Sequence, residues 1–262
     1  MRQLILRQQQ TVHFNYVFSL IIKMNTWFQF KQFTIHQEKS AMKVCTDACL
    51  FGAWIAKKIE ENKIKADNIL DIGCGTGLLS LMIAQKSTAQ IDAVEIDKDA
   101  FEQAVENINL SERKKRINIY HDSVTNFKSS KKYELVISNP PFYESHLKSN
   151  NDKRNKAMHA TTLSFIELVN AIKNNLTDNG LCAVLLPCYS VKEFEKILLP
   201  QQLFIIEKTK VAHSPIHSFF RSILLISVVE KEQLEYVLSI RNIDKEYSKE
   251  FTELLKDYYL NF

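Results

Sequence analysis

The sequence predicts an α/β fold with a doubly wound, mostly parallel sheet. Three observations predict it. Strand-like and helix-like patterns alternate from about residue 67 onward, a glycine cluster stands where the first of those strands passes into a helix, and two apolar strands near the end of the chain lack a helix between them. Alternation of this kind makes βαβ units, whose crossover helices cover both faces of a parallel sheet. Two strands joined directly form an antiparallel hairpin, expected here at the C-terminal edge of the sheet.

Each element has its own pattern. A short buried strand is expected at residues 68–72, a helix at 78–85 and a second strand at 90–96. Residues 99–110 should form a helix that buries Ala100, Phe101, Ala104, Val105 and Ile108 on one face. Strands three and four fall at 117–120 and 133–138. Phe165, Leu168, Val169, Ile172 and Leu176 then repeat at the spacing of an amphipathic helix, which Asn179-Gly180 should close before a fifth strand at 181–186. Residues 203–211 and 221–229 read as the edge hairpin, and Phe251, Leu254, Leu255 and Tyr258 mark a final helix.

At 262 residues and 45% apolar content the chain suits one domain, expected over residues 24–262 with a small N-terminal addition. Residues 1–23 are expected to be a disordered extension. Arg2 and Arg7 precede a semi-apolar stretch there, but His13 and Asn15 interrupt it and no small-residue cleavage site follows. Apolar runs such as Ile223–Val229 are strand-sized, so no membrane span is expected. Five cysteines, at 45, 49, 74, 182 and 188, form no C-x-x-C pair. That pattern points to a reducing cytoplasm and to no metal site. His213 and His217 have ligand spacing, but Pro215 between them argues against a helix. The net charge of +4 is small, yet Lys148, Lys153, Arg154 and Lys156 gather in one loop.

The chemistry gathers in two motifs. In "DIGCGTG", residues 71–77, Gly73, Gly75 and Gly77 are three of the chain's five glycines. Glycine lets the backbone turn sharply and approach a ligand where a side chain would collide. Glu95, eighteen positions past Gly77, ends the next strand, where a carboxylate accepts the hydroxyls of a ribose; Asp97 is its competitor for that role. Asp122 ends the third strand, on the side expected for an adenine, or else serves a turn or helix cap. The ligand should therefore contain a nucleoside. "NPPF", residues 139–142, ends the fourth strand. Two prolines cannot donate to a ladder, so they end the strand and stiffen the turn.

Asp71 with Gly73, Gly75 and Gly77 makes D-x-G-x-G-x-G, which resembles the first motif of class I S-adenosylmethionine-dependent methyltransferases, a Rossmann-like fold. The resemblance implies S-adenosylmethionine as cofactor rather than NAD, with Asp71 near its methionine amino group. Asn139, Pro140, Pro141 and Phe142 resemble the signature of enzymes that methylate planar nitrogens. Two oxygens, the Asn139 side chain and the Pro140 carbonyl, would accept the amine hydrogens, while Phe142 stacks on an unpaired base.

A narrower likeness lies in "FKQFTIHQEKSAMKVCTDACLFGAW", residues 30–54, and in the last 23 residues. Both are similar to the bacterial tRNA1(Val) adenine-37 N6-methyltransferase family. Membership implies that Lys43, Thr46 and Asp47 lie near the cofactor, together with Asp71, Gly73, Gly75, Gly77, Glu95, Asp122 and Asn139. It also implies a valine tRNA anticodon loop as partner, with Lys148, Lys153, Arg154 and Lys156 meeting its phosphates; a monomer is expected. The family more often has tyrosine where Phe142 stands, so any role of that hydroxyl is lost here. Another NPP-type enzyme, acting on rRNA guanine N2 or protein glutamine, is the alternative, and a non-catalytic RNA-binding module is the third reading.

Overall fold

Residues buried on both sides select the centre of the sheet. The computed structural model describes residues 25–141 and 163–262. The expected extension at 1–23, Phe142 and the basic positions Lys148, Lys153, Arg154 and Lys156 lie outside the described residues.

The strands are β1 (Trp27–Gln29), β2 (Thr34–His36), β3 (Asn68–Ile72), β4 (Gln90–Glu95), β5 (Ile117–His121), β6 (Tyr133–Ser138), β7 (Leu176–Pro187), β8 (Phe204–Ala212), β9 (Phe219–Ser227) and β10 (Leu234–Ser239). Helices α1 (Thr46–Glu60), α2 (Leu78–Lys86), α3 (Lys98–Asn109), α4 (Phe165–Asn175), α5 (Val191–Leu198) and α6 (Lys249–Leu255) connect or cover them. Eight strands form one sheet in the order β10-β8-β9-β7-β6-β3-β4-β5. The neighbours from β5 through β7 pair in parallel, and β9 runs antiparallel to both β7 and β8. Ile69, Leu70, Leu135, Val136, Cys182 and Ala183 are fully buried on these central strands, so each strand reads as a continuous apolar run.

Two expectations change. The Asn179-Gly180 pair does not close α4: the chain turns extended at Leu176 and β7 already runs through both residues. A register irregularity absorbs the extra length, because Tyr133 pairs Leu176 whereas Leu135 pairs Leu181. Gly180 is needed for space, since a Cβ there would stand 2.8 Å from Leu176 Cδ2. The β8–β9 hairpin is not at the sheet edge either. β10 adds in parallel to β8 and takes that place. Its pattern hid it from sequence reading: within Leu234–Ser239 only Leu238 is buried, so no apolar face announces a strand. Lys208 and Lys210 help to hold it through Glu235, at 2.7 and 2.8 Å.

Two apolar layers flank the sheet. One joins α1, α2 and α6 to Phe30, Phe33 and Ile35, and the other joins α4 and α5 to the opposite face. The β1–β2 ribbon closes on the C-terminus. Lys31 donates to the carbonyls of Lys256 (2.6 Å) and Phe262 (2.8 Å), and Phe30 bridges Tyr259. None of the described helices is long and apolar enough to cross a membrane.

Candidate active site

In an open parallel sheet, ligands bind beyond the carboxyl ends of the strands where the strand order reverses. Here that point lies between β3 and β6. A cleft of about 230 Å³ opens there, lined by Gly73, Gly75, Glu95, Asp122, Asn139 and Pro140 among others.

The glycine loop forms one wall. Gly73 and Gly75 have φ values of 71° and 56°, in the left-handed region that excludes most side chains. A Cβ at either would meet no atom within 4 Å, so open space lies beside both glycines, where the cleft is. Gly77, also at positive φ, differs: its Cβ would press on Ile108 at 3.3 Å, so this glycine serves helix packing.

Glu95 ties the loop to the neighbouring strand. Its carboxylate accepts from the Gly75 N–H and the Asp97 N–H, both at 2.8 Å, and each oxygen keeps acceptor capacity for a further donor. Asp97, the competitor, caps α3 by accepting from Ala100 N–H at 2.8 Å. Its side chain lies at the cleft but serves the helix. Asp122 also lines the cleft, and its Oδ1 accepts from the Ser123 N–H at 2.7 Å.

Asp71 stands behind the loop, fully buried. One carboxylate oxygen accepts from the Ser80 hydroxyl at 2.7 Å, and the other has no partner among the described residues. Burial pushes its pKa up to about 7, with a smaller upward push from Glu95, while the Ser80 hydrogen bond works in the opposite direction. A buried acceptor without a donor is costly and asks for a cationic or N–H partner.

Asn139 follows directly from this geometry. Ser138 is the last residue of β6, is paired in register with Ile72, and donates its hydroxyl to the Ile72 carbonyl at 2.9 Å. The turn at Asn139 and the glycine loop at Gly73 therefore leave adjacent strands side by side. Pro140 is buried and Pro141 half-buried, and neither has an N–H to compete for an acceptor.

Lys43, Thr46 and Asp47 are not among the residues lining the cleft. The Lys43 ammonium donates to the carbonyls of Gln37 and Ser40, Thr46 is the exposed first residue of α1, and Asp47 pairs with Arg221 at 2.8 Å. What Lys43 braces does reach the cleft: Ser40, Ala41 and Met42 form part of its wall. Sequence reading missed this strap, and also Ser123, Thr125 and Glu167. Glu167 belongs to a capping box with Ser164, whose S-x-x-E spacing is visible in the chain, but nothing local says that the box faces a cleft.

The charge of the cleft discriminates between nucleotides. Glu95, Asp97, Asp122 and Glu167 line it, Asp71 lies behind it, and no Lys, Arg or His is among the described lining residues. Such a wall repels a pyrophosphate and suits a ligand with cationic centres next to a nucleoside. Among the described residues no group of His, Cys, Asp and Glu is placed to hold a metal ion.

Comparison with known proteins agrees with this geometry. The Methyltransferase small domain family matches residues 52–180. A Dyadobacter fermentans protein, the tRNA1(Val) (adenine(37)-N6)-methyltransferase, is 42% identical over 246 residues, covering 91% of this chain and 99% of its own. The chain belongs to the tRNA1(Val) (adenine(37)-N6)-methyltransferase family. Its fold is that of class I S-adenosylmethionine-dependent methyltransferases. Crystal structures of an Agrobacterium tumefaciens protein described as an O-methyltransferase and of a class I S-adenosylmethionine-dependent methyltransferase from Listeria monocytogenes superpose with TM-scores of 0.63 and 0.56. Both are 16% identical, and they cover 80% and 75% of this chain, with 96% and 68% of their own chains matched. For a tRNA1(Val) (adenine(37)-N6)-methyltransferase family member, then, the acidic cleft beside Asn139 is the candidate catalytic centre.

Proposed function

We infer that the protein transfers the methyl group of S-adenosylmethionine to N6 of adenine 37, next to the anticodon of valine tRNA. One observation supports this reading: the register Ile72–Ser138 brings the glycine loop, with its acidic cleft, and the Asn139-Pro140-Pro141 turn to the ends of adjacent strands. Methyl transfer to an adenine N6, the activity named for the relatives, needs both a cofactor site and groups that orient the amine.

Asp71 and the glycine loop would hold the methionine end of the cofactor, Glu95 the ribose, and Asp122 the adenine side. Bound S-adenosylmethionine supplies a methyl group activated by its sulfonium. The chain's own part is positional. Adenine N6 is a weak nucleophile because its lone pair is delocalised into the ring. Accepting one N6–H at the Asn139 side-chain oxygen and the other at the Pro140 carbonyl orients the amine and leaves its lone pair directed at the cofactor side. The transfer would exchange the cofactor's S–C bond for the new N–C bond, and one N6 proton would be lost after it, so Asn139 and Pro140 need only orient the amine and not act as a strong base. The acceptors are rigid before substrate arrives, so little ordering remains to be done at the moment of reaction.

Phe142 is assigned the base-stacking role, and Lys148, Lys153, Arg154 and Lys156 contacts to phosphate, on sequence position and charge alone. The reading takes the chain as a monomer, since every group it uses comes from one chain, and assigns it to the cytoplasm.

Nucleoside mass spectrometry after incubating the protein with S-adenosylmethionine and unmodified tRNA tests the reading. N6-methyladenosine at position 37 is expected. Methylguanosine, a methylated protein or no product would each overturn it. Asn139→Ala should lower kcat about 10²- to 10³-fold, the usual cost of one lost transition-state hydrogen-bonding group, while cofactor affinity is kept.

A further inference from the structure

The cleft creates a problem for a polyanionic substrate. Four carboxylates line it with no cation among the described lining residues, so tRNA phosphates gain nothing there and must be held elsewhere. The sheet continues from β6 through β7, β9, β8 and β10, and the ends of these strands on the cleft side carry a different chemistry.

Beyond β7, the turn Cys188–Ser190 packs on β9 and exposes Tyr189, 66% accessible. β9 begins with Phe219, 42% accessible, and Phe220. The hairpin tip between β8 and β9 presents His213, whose ring stacks on Phe220 at 4.1 Å and 6°, with His217 edge-on at 6.3 Å. Next to it the Arg241 N–H donates to the His213 carbonyl at 2.9 Å, and the exposed Arg241 side chain lies over the Tyr247 ring at 4.4 Å. Arg221, paired with Asp47, lies 5.6 Å from the centre of the Phe220 ring. Strands are spaced by about 4.8 Å, which sets the β9 and β8 ends roughly 10 and 15 Å from the end of β6. Exposed aromatic rings interleaved with cations, at strand ends on the same side of the sheet as the cleft, suit unpaired bases and their phosphates.

We propose that this rim, formed by Tyr189, His213, Phe219 and Arg241, receives the unpaired nucleotides that flank the target base in the tRNA anticodon loop. The proposal rests on the tRNA-methyltransferase reading above. Tyr189, His213 and Phe219 stack on bases, and Arg241 meets a phosphate. Stacking tolerates any base, so the rim holds the loop in register without reading its sequence; the cleft then selects the adenine.

Binding of unmodified tRNA, followed by fluorescence anisotropy over a range of salt concentrations, tests it. The triple variant Tyr189→Ala, His213→Ala, Phe219→Ala should bind tRNA at least about tenfold more weakly, as expected when stacking platforms are removed. Its affinity for S-adenosylmethionine should match the wild type, and its salt slope should not change. Arg241→Gln should instead reduce the salt slope by about one. Tyr189→Phe with Phe219→Tyr, which keeps the rings, should bind like the wild type. Unchanged tRNA affinity in the triple variant would overturn the proposal, as would loss of cofactor binding alongside tRNA binding, or a loss that the ring-keeping variant shares. A wild-type protein that binds tRNA through these rings yet forms no N6-methyladenosine defeats the enzymatic reading alone. One that binds no tRNA defeats both.

Discussion

Asp71 shows how one buried side chain links the stability of the protein to its ligand. Its carboxyl is fully buried with a pKa near 7, raised from an ordinary 3.8, so the protonated form is favoured in the folded chain. A raised carboxyl pKa gives stability that is complete below about pH 4 and is lost as the pH rises through 7. Holding a cationic amino group needs the ionised form, so cofactor affinity should rise over the upper part of the same range. Asp71→Asn should therefore flatten the fall in thermal stability between pH 5 and pH 8 and weaken cofactor binding about 10- to 100-fold, the worth of a charged hydrogen bond. Thermal unfolding and calorimetric titration across those pH values measure the two effects. Asp71, Glu95 and Asn139 were legible as residues because motif spacing assigns them to strand ends. That one oxygen of Asp71 lacks a partner among the described residues was not, since Ser80 reaches the other from a helix nine residues away.

Asn107 acts at the level of elements. It is buried on α3 and joins three segments: its Oδ1 accepts from the His36 N–H at 2.8 Å, and its amide donates to the carbonyls of His36 (2.8 Å) and Thr76 (2.9 Å). The glycine loop is thus bound to the start of the strap that carries Ser40–Met42 to the cleft. Gln103, one turn earlier, accepts from the Lys39 N–H and holds the same strap. Asn107→Ala leaves three polar backbone groups without that partner and should cost ~1–3 kcal/mol. It should also raise the KM for S-adenosylmethionine several-fold while kcat at saturation changes little; steady-state kinetics and denaturant unfolding separate the two. Sequence reading assigned Ala100, Phe101, Ala104, Val105 and Ile108 to the buried face of this helix; Phe101 and Val105 are only half-buried, and the polar Gln103 and Asn107 take buried places, because sequence reading has no means to assign a polar residue its distant partners. The same gap explains β10, whose pairing with β8 is made by backbone hydrogen bonds that leave no apolar signature.

At the scale of the whole described domain, the β1–β2 ribbon and the C-terminal segment close on each other. Phe251 of α6 is fully buried; its ring stacks on Tyr247 at 5.0 Å and meets Tyr259 and Phe262 edge-on, while Tyr258 donates to the Met82 carbonyl at 3.0 Å. The β1–β2 ribbon packs on the same cluster through Phe28 and Phe30. Phe251→Ala should therefore cost ~3–5 kcal/mol, as emptying a buried aromatic site does, and lower the thermal midpoint. At low temperature the variant should keep its cofactor affinity, because the cluster lies behind α1 and α2 rather than at the cleft. Loss of cofactor binding in a protein that is still folded would show that the clasp also shapes the site.

Legible in the chain itself were the alternation of strands and helices from residue 68 to 138, the parallel core, the glycine turn and the acceptor turn. These are local facts, decided by periodicity, by φ-restricted residues and by motif spacing over a few positions. The tertiary structure alone decided that the two turns emerge side by side, that Asp97 caps a helix while Glu95 braces the loop, and that the strap at 40–42 reaches the cleft. It also decided that a further strand covers the hairpin. Each of these depends on which strands become neighbours, a choice made by burial of apolar faces between segments far apart in the chain.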